Sequence, residues 1–275
     1  MAVDLATPFP NPVPTAQSGP DLLRNASWIE ANWPYISTFM CPIFFLLPLA
    51  LSKSPRRAIQ NPYVLGWLAV AFYCWHQTEE HAYDLRGWRY AFVPNFNHGL
   101  GAFLFKECDK LGHFSCPLDP TLALHVNVFV VWVGFVATML LAHYLGGPYA
   151  FAGLCNWGMS VVNAFGGHLV PFLIAGYNPG SFQSFFMFSF GIFAITRCGR
   201  GFAVACIVNG ILLHVITFAI GMNLIFKANF PEETIAVLSV LCSCPMPLLF
   251  ARLFAPKKYE KLEDSDDDTG YSESP

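Results

Sequence analysis

The chain has 275 residues, of which 55% are hydrophobic and only 12% are charged, and its formal net charge is −3 at pH 7. Soluble domains carry about 25% charged residues, so the composition excludes an ordinary soluble domain. The long apolar runs instead predict an all-α, polytopic transmembrane helical bundle, because lipid offers no partner for open backbone groups.

Three regions are predicted along the chain. Residues 1–31 form a polar, Pro-rich N-terminal segment that lacks the basic and apolar regions of a signal peptide. Residues 32–254 form the transmembrane helical domain, and residues 255–275 form an acidic C-terminal tail that we expect to be disordered. About seven spans are predicted, or six if the short run 180–197 does not cross the membrane. Their ranges are 32–51, 62–84, 121–145, 149–174, 180–197, 200–226 and 234–254.

The second span carries a dense polar motif with the sequence His76-Gln77-Thr78-Glu79-Glu80-His81. An α-helix turns by about 100° per residue, which places His76, Glu79 and Glu80 on one face. Tyr73 and Tyr83 lie on the same face and are candidate substrate-contacting or supporting residues. His81 points to another side, and we expect His81 and Asp84 to lie among the lipid head groups.

This polar stripe supports two kinds of chemistry. Ionisable side chains at the centre of a bilayer cost about 2.5–3.5 kcal/mol each on insertion scales, so His76 and Glu80 are predicted to face the bundle interior. An imidazole and a carboxylate one helical turn apart can bind Zn²⁺ or iron. Alternatively, a glutamate in such a site can act as a proton donor without any metal.

The loop at 85–120 follows the motif and contains a short apolar stretch, which we expect to be re-entrant or interfacial. Its residues Asn95, Asn97 and His98 could cap the site, and they could equally be turn residues. Cys108 and Cys116 share this loop and could form a disulfide in an oxidising compartment.

Two later spans carry polar residues at a matching depth. His168 in the fourth predicted span and His214 in the sixth lie about as far along parallel helices as His76 does along the second. We therefore expect His76, Glu80, His168 and His214 to form a metal site. Asn163 is a candidate supporting residue, although its spacing of five from His168 places the two side chains about 140° apart on an ideal helix.

The distribution of Lys and Arg predicts the orientation. Nine basic residues fall on the side of loop 52–61 and the C-terminal tail, and six fall on the other side. The positive-inside rule then places the C-terminus in the cytosol and the N-terminus in the lumen or outside the cell. We expect an endomembrane of the endoplasmic-reticulum type.

The motif resembles that of the HXXEE family of small multi-span membrane proteins. A second stretch, "VVNAFGGHLVPFLIAGYNPGSF", is similar to that family's Asn…His segment followed by a Tyr-x-Pro-Gly turn, here Tyr177, Pro179 and Gly180. The resemblance covers roughly residues 35–225 and implies a polar site within the membrane. The pair His76 and Glu80 also resembles the His-Glu pair of the EXPERA proteins, which include metal-free sterol isomerases.

These observations lead to one main hypothesis and two alternatives. The main hypothesis is an intramembrane enzyme acting on a lipid or another apolar substrate, in which Zn²⁺, or alternatively iron, is bound and Glu79 acts as the base. The first alternative is a metal-free isomerase of EXPERA type, in which Glu80 protonates the substrate and His76 or Glu79 removes a proton. The second is a non-catalytic membrane subunit, a receptor-like protein or a transporter. Membrane lipids and an apolar small molecule are the expected partners, nucleic acid is not expected, and the sequence does not indicate an oligomeric state.

Overall fold

The computed structural model describes residues 22–50, 52, 58–101, 105 and 117–256, and every regular element in these ranges is a helix. Seven long helices follow one another, and we label them α1 to α7. Their bounds are α1 Trp28–Ala50, α2 Pro62–Gln77 with the π-helical turn Thr78–Ala82, α3 Pro120–Leu145, α4 Gly147–Ala175, α5 Ser181–Thr196, α6 Arg200–Ala228 and α7 Glu233–Phe254. A short helix, Phe92–Phe96, continues as a π turn through Asn97–Gly101 between α2 and α3.

Five of the described helices are long and apolar enough to cross a membrane, namely α1, α3, α4, α6 and α7. The protein is therefore an integral, multi-pass membrane protein by length and composition. Of the remaining two predicted spans, α2 ends in the polar motif, and α5 is apolar but has only 16 residues. The count of about seven spans stays a prediction, as do the orientation and the organelle.

The central helices of the bundle are α2 and α4. Twelve of the 16 residues in Pro62–Gln77 are buried, whereas α1 has only four buried residues over 23 positions. Glycines bring α2 and α4 together, since a Cβ at Gly153 would lie 2.5 Å from the Cα of Gly66. The indole N–H of Trp157 also donates to the carbonyl oxygen of Leu65 at 2.7 Å. Small residues that allow close backbone approach are typical of helix contacts in membranes.

The same kind of contact joins α4 to α6. A Cβ at Gly158 would lie 1.8 Å from the carbonyl oxygen of Cys206, and a Cβ at Gly210 would lie 2.4 Å from the carbonyl oxygen of Gly158. The amide of Asn209 donates to the carbonyl oxygen of Cys155 at 3.2 Å. The two helices are therefore in van der Waals contact over this part of their length.

The segment after α2 folds back onto the end of the bundle. Asp84 is buried and accepts backbone N–H bonds from Arg86 and Trp88, both at 2.9 Å, and it pairs with the Arg86 side chain at 2.7 Å. The prediction that Asp84 lies among the head groups is wrong, because these three groups satisfy the carboxylate within the protein. The N–H of Tyr90 then donates to the carbonyl oxygen of His81, and the turn closes over the motif.

Several sequence predictions concern residues outside the described ranges. They include the Cys108–Cys116 disulfide, residues 53–57 of the basic loop, the first 21 residues and the tail beyond Pro256.

Candidate functional site

Glu80 lies at the centre of a buried cluster of histidines. Its Oε1 atom is 3.4 Å from Nε2 of His76 and 3.2 Å from Nε2 of His168, and all three side chains are almost fully buried. One ligand atom from each residue lies within 4.8 Å of the others. The structure therefore brings together three of the four residues predicted to bind a metal, from two different helices.

The His168 ring is fixed by Asn178. The Nδ2 atom of Asn178 donates to the His168 carbonyl oxygen at 3.0 Å, and Oδ1 faces Nδ1 of the ring at 2.9 Å. This orientation requires the ring proton on Nδ1, because Oδ1 can only accept. In a neutral His168, the Nε2 lone pair therefore faces the Glu80 carboxylate. In a metal-binding histidine, one ring nitrogen usually donates a hydrogen bond to a protein group, and the other nitrogen is free to bind the metal.

The contacts of Glu80 with the two imidazoles lack hydrogen-bond geometry. Nε2 of His168 is buried and makes no well-formed hydrogen bond, although Oε1 of Glu80 is only 3.2 Å away. The two atoms approach each other without pointing directly at each other. Ligand atoms show this arrangement when they point at one shared position, where a metal ion would lie, and not at each other.

His76 is contacted by Asn163 from α4. The amide of Asn163 lies 3.1 Å from Nε2 of His76, and the two imidazole rings of His76 and His168 stand nearly perpendicular with centroids 4.6 Å apart. Tyr73 packs its ring edge against His76 at 5.6 Å, as predicted from the helical stripe.

A glycine turn closes the cluster from the side of α5. Gly180 has φ of +92°, and a Cβ there would lie 2.6 Å from Cε1 of His168 and 2.8 Å from Cε1 of His76. Any side chain at this position would occupy the space of both rings. The turn therefore needs glycine for two reasons, its left-handed backbone and its contact with the histidines.

His81 belongs to the cluster, and the prediction that it lies among the head groups is wrong. Its exposed fraction is 1%, its Nε2 atom lies 3.7 Å from Oε2 of Glu80, and its ring packs against Trp33 at a centroid distance of 5.0 Å. The amide of Asn127 approaches Nε2 of His81 at 3.3 Å, and the Gln77 amide donates to Oδ1 of Asn127 at 3.3 Å. A buried polar network thus continues from Glu80 towards α3.

Two π-helical turns explain why the ideal helix misplaced these residues. The N–H of Tyr83 bonds the carbonyl oxygen of Thr78, five residues earlier, and the N–H of Val170 bonds that of Phe165 in the same manner. An i→i+5 turn contains more residues than an α turn. Residues five apart, such as Asn163 and His168, are therefore about one turn apart, and both contribute to the same site.

Glu79 has a different position from the one predicted for a catalytic base. Its two oxygens accept the backbone N–H groups of Phe182 at 3.3 Å and Gln183 at 3.0 Å. These groups belong to the first turn of α5, where unpaired N–H groups and the helix dipole favour a negative charge.

Tyr177 lies near this carboxylate. Burial raises the pKa of its hydroxyl, and the Glu79 and Asp84 carboxylates raise that pKa further. The hydrogen bond that the hydroxyl accepts from the Leu85 N–H lowers it.

Three other predicted site residues lie outside the cluster. Tyr83 is 53% exposed and packs against Tyr35, because the helix ends there and the backbone becomes extended. His214 bonds the carbonyl oxygen of Gly210 through Nδ1 at 2.7 Å and stacks on Phe218, and it is not among the three residues whose ligand atoms converge. His98 is exposed, while the neighbouring Asn97 bonds the Leu118 backbone and secures the loop.

A cavity of about 660 Å³ adjoins the cluster. His168 and Asn163 form its boundary with the cluster, and His214 and His98 are also among its lining residues. The remaining wall is mainly apolar and comes from α4, α6 and the short helix after α2. Its volume lies in the range of small-molecule binding pockets, about 300–1,000 Å³.

The sequence did not identify Asn178, Gly180 or His81 by their roles in the cluster. The Asn-Pro-Gly run at 178–180 does signal a turn, but the chain alone does not show that this turn packs on two histidines.

Comparisons with protein-family models, with curated proteins and with solved structures return no match for this chain.

Proposed function

We propose that the protein is an intramembrane enzyme that binds a metal ion through His76, Glu80 and His168 and acts on a lipid or another apolar substrate. One observation carries the proposal. Two imidazole nitrogens and one carboxylate oxygen converge inside a membrane protein, beside an apolar cavity bounded by one of the histidines. The resemblance to the HXXEE family is part of the proposal and stays a prediction.

The separation of the three atoms fits zinc. Tetrahedral zinc with bonds of about 2.0–2.2 Å holds its ligand atoms about 3.3–3.6 Å apart. Ligands at right angles with similar bond lengths would be about 3.0 Å apart, as in an octahedral iron site. The two distances from Glu80, 3.2 and 3.4 Å, are compatible with zinc, with iron as the alternative. Two histidines, one glutamate and an open position form a donor set known from catalytic zinc sites.

The residues around the three ligands have separate tasks in this proposal. A bound zinc ion would supply a water molecule of lowered pKa and a Lewis acid for a substrate oxygen. Asn178 orients His168, and Glu79 attaches the start of α5 to the motif, so we assign Glu79 an anchoring role. Glu80 directs Oε1 towards His76 and His168, and Oε2 towards His81. The Glu80–His81 pair is therefore positioned to hold a proton during the reaction.

Metal content tests the proposal directly. Protein purified without chelators is expected to contain about one zinc ion per chain, and His76→Ala and Glu80→Ala should each lose it. His214→Ala is the matched control and should retain it, since His214 lies outside the cluster. Iron in place of zinc would select the alternative metal, and a metal-free wild type would contradict the metal site.

A metal-free acid–base enzyme is the second candidate, and one contact favours it. The Asn163 amide lies 3.1 Å from Nε2 of His76, the nitrogen that a metal would need. In this version Glu80 carries a proton shared with the imidazoles and transfers it to the substrate. Infrared difference spectra of wild type and Glu80→Gln distinguish the two versions, because only the metal-free one contains a protonated carboxyl group at Glu80.

A further inference from the structure

The cavity lies where α4 and α6 separate. The two helices touch at Gly158 and Gly210, as described above. Further along both helices, a Cβ at Gly166 would meet no atom within 4 Å. Gly166 and Val170 line the cavity from α4, and Val215 and Phe218 line it from α6. The gap between the helices therefore opens beyond their contact, within segments long enough to span the bilayer.

This gap reaches the exposed surface of the helices. Of the lining residues, Ile174 on α4 has an exposed fraction of 57% and Val215 on α6 one of 44%. In a membrane-spanning bundle, an exposed apolar side chain on such a helix faces acyl chains. A molecule dissolved in the bilayer can thus reach the cavity sideways, without passing through water.

The polar groups of the cavity are amides, imidazoles and one phenol. Among its described lining residues there is no Lys, Arg, Asp or Glu. A phosphate head group is bound best by a permanently cationic side chain such as Arg or Lys, and none of the described lining residues is one. A hydroxyl, ester or amide needs only neutral donors and acceptors. Residues that offer such groups include Asn95, His98, Asn163 and His168.

We propose that the cavity binds a lipid with an uncharged polar head group, which enters from the bilayer between α4 and α6 and places that head group at His168 and Asn163. The lipid chain then lies along Val170, Val215 and Phe218. This inference rests on the proposed function, since it names the substrate class of the same site. Binding of the lipid to the cavity can be measured without any catalytic assay.

Photolabelling of the full chain in lipid nanodiscs tests the inference. The probe is a long-chain fatty alcohol that carries a diazirine and an alkyne, and a phosphatidic acid with the same photoreactive chain provides the anionic comparison. Labelled peptides are identified by mass spectrometry. The alcohol is expected to label the segments 163–175 and 215–223, and the phosphatidic acid is expected to label them much less.

Two glycine substitutions provide a matched pair. A Cβ at Gly166 or at Gly201 meets nothing within 4 Å. Gly166→Phe adds a ring at the cavity, and Gly201→Phe adds one at the start of α6. Gly166→Phe should weaken labelling of the two segments about tenfold, the effect of displacing about two methylene groups from apolar contact. Gly201→Phe should leave labelling unchanged.

Metal content measured on the same samples separates this inference from the proposed function. If the metal is present and Gly166→Phe does not change the labelling, the lipid site is overturned and the metal site remains supported. Cavity labelling in a metal-free wild type would overturn the metal site and support the lipid site. Equal or stronger labelling by the phosphatidic acid would overturn the uncharged head group.

Discussion

Asn178 is the residue on which the chemistry of His168 depends. Its amide uses one atom to hold the backbone of α4 and the other to accept the Nδ1 proton of the ring. The tautomer that results leaves Nε2 free to face Glu80. Asn178 is neutral and lies outside the His76–Glu80–His168 triad, but it determines which nitrogen of His168 is free to bind a metal.

We expect Asn178→Leu to lower zinc affinity by about 10–100-fold, the usual cost of losing a partner that orients a metal ligand. Asn178→Asp retains an acceptor for Nδ1 and should lose much less. Competition with a zinc-binding dye measures both affinities. Asn223→Leu is the control, because Asn223 lines the far part of the cavity and bonds only its own helix in the described contacts. Equal zinc affinity in all three variants would contradict the orienting role.

Gly180 makes a second prediction at the residue scale. Gly180→Ala and Gly176→Ala both place a side chain at a positive φ, +92° and +82°, at a cost of about 1–2 kcal/mol each. Only Gly180 contacts the histidines, whereas a Cβ at Gly176 meets nothing within 4 Å. Both variants should unfold at lower temperature, and Gly180→Ala alone should lose zinc. Zinc binding by Gly180→Ala equal to that of Gly176→Ala would show that the turn does not shape the site.

At the scale of single helices, the π turns determine which residues meet. The turn at Asn163–Leu169 aligns residues five apart, and the turn at Thr78–Ala82 brings His81 beside Glu80. A π turn amounts to one extra residue within an α-helix. The helix on either side keeps its packing, while the residues inside the turn change direction.

Deleting Gly166 tests this function of the turn. The deletion converts the π turn of α4 to a regular α turn, and it preserves the register of the helix on both sides. We expect the protein to remain folded, as judged by helicity and a sharp unfolding transition, and to lose its zinc. Deleting Met159, in the regular part of α4, should instead shift the buried face by about 100° and prevent folding. A Gly166 deletion that still binds zinc would contradict the proposed alignment.

The anchoring of α5 by Glu79 can be tested through the stability of the protein. Glu79→Ala leaves two buried N–H groups without their acceptor, and we expect it to lower the free energy of unfolding by about 1–3 kcal/mol. Glu79→Gln retains one oxygen acceptor and should lose less. Thermal unfolding measures the difference. Zinc content should remain unchanged in both variants, and its loss would place Glu79 among the metal ligands.

Regular helical geometry accounts for the part of the site that the sequence predicted. His76 and Tyr73 lie in the regular α-helix Pro62–Gln77, so 100° per residue placed them correctly. Glu80 lies in the π turn that follows and still contacts His76 one turn earlier. His81 and the His168–Asn163 pair depend on π turns, which one sequence does not reveal, because propensities do not distinguish an i→i+5 turn from an α turn. His214 was misplaced for another reason. Equal depth on parallel helices does not bring side chains together when α4 and α6 diverge at that depth.

For the whole molecule, bound metal is expected to stabilise the fold. A ligand that binds only the folded state at about 100 times its dissociation constant adds about 2.7 kcal/mol to the free energy of unfolding. A chelator should therefore lower the unfolding temperature of the wild type and leave Glu80→Ala unchanged. Added zinc should restore the wild type. A wild-type unfolding temperature that is the same with and without chelator would argue against metal binding across the bundle.

The contact of Gly158 with Gly210 has a mechanical consequence. When two helices are in contact over only part of their length, a change in crossing angle moves most the ends that are farthest from the contact. Ile174 lies 16 residues beyond Gly158, or about 24 Å along the helix. A change of about 5° in crossing angle then displaces that end by about 2 Å, more than a carbon–carbon bond length. The width of the opening therefore depends strongly on the crossing angle, while the contact at Gly158 hardly changes.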